Sequence, residues 1–230
     1  MRLTLLKTRP LILAGLQYLW GLAVFLGASS CIGISRYLNR EVDPEVPWFL
    51  VVVALVCSAV TWYGARFSAG AEDSRRGPKA FLLSVLLGVA LAGLSLMLSG
   101  VLTGKHYIML PGDGERAPPL FKLATALSEA LGAGFLEEST MRGVVQLALV
   151  KYVGPKMAEA IASTTFVLMH GRKLINLREL LLVSATSFCA GRVTTVTRTM
   201  RCAIAIHLVC NALIVAVALA LRHSDATARP

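Results

Sequence analysis

The chain has 230 residues, of which 56% are hydrophobic and 16% charged, with a mean hydropathy of +0.67 and a formal net charge of +10. Soluble domains carry roughly a quarter charged residues, so this composition excludes a soluble globular protein and describes one compact polytopic membrane domain. The basic excess does not imply nucleic acid: no basic run is interleaved with aromatics, and Lys and Arg flank apolar stretches, where they face anionic lipid headgroups.

The opening Met1–Pro10 carries Arg2, Lys7 and Arg9, as a signal peptide would. The apolar run that follows, Leu11–Ser35, exceeds a signal core of about 7–15 residues and reads as a first membrane span. A charged loop, Arg36–Pro47, leads to a second span at Trp48–Ala65. A polar connection through Glu72, Asp73, Arg75 and Arg76 precedes a third span at Ala80–Thr103. Lys105–Pro119 contains three prolines and two glycines and cannot be regular helix. A fourth span covers Phe121–Val150, and Gly154-Pro155 breaks the chain. Helix Lys156–His170 and spans at Leu177–Val196 and Met200–Leu221 complete the reading, with a polar tail after them. The expected fold is all-α, a transmembrane bundle of about seven to eight helices. Residues 1–120 supply the N-terminal spans, 121–221 the polar-bearing helices, and 222–230 the tail. The basic N-terminal flank favours a cytoplasmic N-terminus. Cys31, Cys57, Cys189, Cys202 and Cys210 show no metal or redox spacing and read as packing residues.

Charged and polar side chains inside spans carry the chemistry. Glu137, Glu138 and Arg142 stand mid-way along the fourth span, where each charge costs roughly 2.5–3.5 kcal/mol even on the mildest scale. Glu138 and Arg142 are four residues apart, share one helix face and can pair, which would make them a buried clamp. Glu137 has no partner within its own turn and is the candidate general base. Phe166 and His170 share a face of the fifth helix, as His207 and Asn211 do on the last. Glu137 and His170 together suit holding and deprotonating a water; His207 and Asn211 suit donating to a developing oxyanion. The set is sufficient to hydrolyse an amide by direct water attack. There is no zinc-protease HExxH and no Ser-His or Cys-His pairing at useful spacing.

The order Glu137-Glu138-x-x-x-Arg142, Phe166-x-x-x-His170, His207-x-x-x-Asn211 resembles the CPBP family, the CAAX-protease and bacteriocin-processing proteins also called Abi, which includes Rce1-type endopeptidases. The resemblance covers Leu120 to Leu221. It implies a glutamate-type intramembrane endopeptidase in which Glu137 and His170 activate water and His207 and Asn211 stabilise the oxyanion. Glu138, Arg142 and Phe166 are supporting residues. The family was long classed with metalloproteases, and Glu137, His170 and His207 would be the ligands if zinc were used; the Asn and paired Glu favour a metal-free site with no cofactor. Ser139-Thr140 stand where the family commonly has bulky apolar residues.

Two other readings remain open. One is a non-catalytic scaffold or immunity protein on the same fold. The other is a proton-relaying transporter, which would show internal repeats; none is present. The expected partners are membrane lipids and a membrane-anchored protein or peptide. Ala/Leu/Val/Arg-rich composition points to a bacterial inner membrane, and so to a membrane-embedded peptide or sorting tail rather than a prenylated CAAX protein as substrate.

Overall fold

The computed structural model describes residues 10, 12–24, 26–27, 56, 59, 77–103, 132–171 and 175–227. The expected loop Arg36–Pro47, nearly all of the second span, the Lys105–Pro119 loop, the start of the fourth span, and Arg172 and Lys173 lie outside them. Six helices run through the described residues, and no strand is among them. Helix α1 covers Ile12–Val24 and α2 covers Gly77–Thr103. Helix α3 is wound as π-helix over Gly132–Glu137 and Ser139–Leu147, then as α-helix over Ala148–Val153. Helices α4, α5 and α6 cover Pro155–Met169, Leu177–Thr197 and Arg201–Thr227.

Local sequence explains the breaks. Gly154 sits between α3 and α4 at φ 81°, a conformation open to glycine. Pro155 then occupies the first turn of α4, where its missing N–H is harmless. Asn176 caps α5 by accepting from the backbone N–H of Arg178 and Glu179.

Among the described residues, three helices are long and apolar enough to cross a bilayer: Pro78–Leu98, Leu177–Thr197 and Arg201–Ala218. The described residues are all-helical, and these spans make the chain an integral membrane protein. Helix α4 has 15 residues, about 22 Å at 1.5 Å per residue, short of the roughly 30 Å hydrocarbon core. A cluster of Ala14, Met141, Val145, Leu149, Ala158, Ala162, Phe166 and Val183 joins α1, α3, α4 and α5. Val144 packs on Met200 and Ile204, and Leu91 and Ala92 on Ile206 and Cys210. Cys210 thus has the packing role expected of it. These contacts hold α3 and α6 together and bring the three polar helices to one place.

Candidate active site

The expected α-helix around Glu137 is a π-helix instead, with Glu138 between its two stretches. Such i→i+5 winding is rare, occurs mostly as single-turn bulges and is frequent at functional sites. Gln17 of α1 braces it, donating from Nε2 to the Val144 carbonyl at 2.9 Å. Tyr18 bonds Thr165 of α4 at 3.0 Å.

Arg142 lies at the centre of a buried network. Its Nε donates to Glu138 Oε2 at 2.8 Å, and both side chains are fully enclosed. Its Nη1 reaches Gln146 Oε1 at 3.5 Å and Ser163 Oγ at 3.3 Å. Its Nη2 reaches the Ser187 carbonyl at 3.0 Å and Ser187 Oγ at 3.1 Å. A guanidinium has five N–H donors, and here five acceptors from α3, α4 and α5 meet them. Ser163 and Ser187 also donate to each other's carbonyls, at 3.3 and 3.0 Å. Gly191, one turn on, makes this close approach possible. A Cβ there would stand 2.5 Å from Ser163 Oγ. Gly191→Ala is therefore expected to cost about 1–3 kcal/mol by overpacking, read as a lower melting temperature in detergent; an unchanged melting temperature would contradict the contact.

The same carboxylate holds the last helix. His207 donates from Nδ1 to Glu138 Oε1 at 2.9 Å. His170 donates from Nδ1 to the Phe166 carbonyl at 2.8 Å, which turns its Nε2 towards Glu137 Oε2, 4.0 Å away. The Phe166 ring lies among all of these: 4.6 Å from the His170 ring, 5.9 Å from the His207 ring, and 5.5 Å from the Arg142 guanidinium carbon.

The structure brings Glu137, Glu138, Arg142, Phe166, His170 and His207 into one cluster. His170 faces this cluster. Asn211 follows one turn after His207 on the same face of α6, half-buried; no hydrogen bond ties it to the other described site residues. The two glutamates divide their work by exposure. Glu137 is 21% and His170 14% exposed, against 0% for Glu138 and Arg142, so the first pair is the less enclosed, although Glu137 Oε2 itself is buried. Ser139 and Thr140 are fully buried. Sequence reading missed Gln146, Ser163, Ser187 and Thr195, and the bond from Glu138 to His207. Gln146 stands four residues after Arg142, so the i, i+4 rule that paired Glu138 with Arg142 could have found it.

Residues 119–213 match the family model described as type II CAAX prenyl endopeptidase Rce1-like. No curated protein and no solved structure gives a significant match. The matched segment holds all seven motif residues and the whole buried network. Over these residues the chain is similar to the Rce1-like family of type II CAAX prenyl endopeptidases.

Proposed function

We propose that the protein hydrolyses a peptide bond of a membrane-associated substrate, using a water activated by Glu137 and His170. The observation that carries this reading is the 4.0 Å gap between Glu137 Oε2 and His170 Nε2. A water oxygen about 2.8–3 Å from both atoms closes that triangle. The His170 Nδ1–H bond to the Phe166 carbonyl leaves Nε2 of a neutral ring with a lone pair on the Glu137 side. The water gives one proton to this couple, and its oxygen bonds to the scissile carbonyl carbon. The new oxyanion takes hydrogen bonds from His207 and Asn211. The C–N bond then breaks, and the proton held by Glu137 and His170 passes to the departing amine.

His207 can fill that role in one protonation state only. Its Nδ1–H is given to Glu138, so a donor at Nε2 requires the doubly protonated ring. The carboxylate of Glu138, itself held by Arg142, is the counter-ion for such a ring.

The zinc alternative needs Glu137, His170 and His207 grouped as ligands. Among the described residues no three His, Cys, Asp or Glu side chains lie close enough to hold a metal ion, so no step is routed through one. The substrate is proposed as a peptide with an apolar or lipidated C-terminal tail; the description of the matching family as a CAAX prenyl endopeptidase supports the lipidated form, and the chain's composition supports a bacterial sorting tail.

Purified protein, stripped with chelator and verified metal-free by elemental analysis, is expected to cleave such a peptide. A farnesylated CaaX peptide and an unprenylated peptide with an apolar C-terminal helix serve as probes. Loss of cleavage that returns only with stoichiometric zinc would replace this mechanism. Cleavage of neither probe, by protein whose native substrate accumulates uncut in membranes, would show that the substrate class is wrong. No accumulation of any membrane peptide would favour the scaffold.

A further inference from the structure

We infer that Gln146, which stands outside all three motifs, is a positioning residue for the oxyanion side of the site, tying Arg142 to α5 and thereby fixing the Glu138 carboxylate that holds His207. Gln146 is fully buried. Its Nε2 donates to the Gly191 carbonyl at 2.8 Å and to Thr195 Oγ1 at 2.9 Å. Those two bonds use both amide hydrogens, so Oε1 can only be the acceptor, and it faces Arg142 Nη1.

The orientation then propagates. With Nη1 held by Gln146 and Ser163, and Nη2 by Ser187, the guanidinium plane has one setting. That setting aims Nε at Glu138 Oε2 and turns Oε1 towards His207 Nδ1. Each bond in the run from α5 through Gln146, Arg142 and Glu138 to His207 has one possible direction. In a low-dielectric interior such networks specify a single arrangement when fully satisfied. Without Gln146, Arg142 Nη1 keeps only the 3.3 Å bond to Ser163, and the guanidinium is free to rock about Nη2. A plain helix-joining role would also place a glutamine here. It predicts lost stability with an unchanged imidazole.

The test compares wild type with Gln146→Met, an apolar side chain of similar length, in full-length protein in detergent. The activity arm rests on the proposed proteolysis; the spectroscopic arm does not. The chain has four histidines, so nitrogen-15 histidine labelling gives few imidazole signals, and His207→Gln assigns the one of interest. The His207 Nδ1–H signal is expected to move in Gln146→Met while that of His170 stays. The kcat for peptide cleavage is expected to fall on the order of 10–100-fold, the loss typical of a displaced site group, with KM unchanged. In a Glu138→Gln background the same substitution should cost no further activity. A His207 signal that stays put while thermal stability falls would reduce Gln146 to a helix joint and overturn the inference. So would a moved signal with unchanged kcat. A moved signal in protein that cleaves nothing would leave the positioning in place and count against the proteolysis. Thr195→Val, which removes one acceptor at the far end, is the second variant should Gln146→Met fail to fold; it is expected to move the His207 signal in the same direction by less, and no movement there would also refute the relay.

Discussion

Glu137→Gln and Glu137→Ala are both expected to abolish cleavage, by on the order of 10²–10⁴-fold, the usual contribution of a general base, while the protein folds normally. The expectation follows from where the two glutamates lie. Glu137 is partly exposed and faces His170 across 4.0 Å. The hydrogen bonds of Arg142 do not include it, so its loss leaves that network whole. Glutamine keeps the shape and the hydrogen bonding but cannot accept a proton at neutral pH. Alanine also removes one wall of the water site. If both variants fall together in kcat with unaltered melting temperature, the missing element is the proton acceptor. If either retains near wild-type cleavage, the base is elsewhere, and His170 alone becomes the leading candidate.

Much of this arrangement could be read before any fold was available, for identifiable reasons. Charges in apolar runs are expensive in lipid, so Glu137, Glu138, Arg142, His170 and His207 stood out on composition alone. Four-residue spacing gave the Glu138–Arg142 pair, which the structure contains at 2.8 Å. The break at Gly154-Pro155 followed from backbone chemistry that acts locally. The rest depends on contacts between distant segments. Glu138 meets His207 across 69 positions of sequence, and no spacing rule reaches that far. Ser163, Ser187 and Thr195 are ordinary polar residues whose meaning appears only when α5 is laid against α3 and α4. The π winding of α3 escaped as well, because a 3.6-residue period and a slightly wider one place the same few residues on one face over so short a run. The helix count is the coarsest part of the reading: six helices are found where seven to eight were expected, and most of the second span lies outside the described residues.

Arg142→Ala is expected to be the most destabilising single change in the molecule. Its removal leaves the Glu138 carboxylate fully enclosed with His207 as its only partner among the described residues, and strands acceptors on Gln146, Ser163 and Ser187. Breaking a buried ion pair by deleting one partner costs about 3–5 kcal/mol, so folded yield and melting temperature in detergent should fall well below those of Glu137→Ala. Arg142→Lys should recover only part of the loss, since an ammonium has three donors and no planar fork to meet five acceptors. The informative variant removes both charges. Glu138→Leu with Arg142→Met fills the space with apolar atoms, and such replacements are often neutral or even stabilising. It should melt near wild type or above Arg142→Ala, yet cleave nothing, because His207 then has no carboxylate on Nδ1 to hold it as a two-proton donor. Stability and activity would separate in one protein. Equal stability of Arg142→Ala and Glu137→Ala would rule out the clamp, and a double variant that still cleaves would show that His207 needs no anchor.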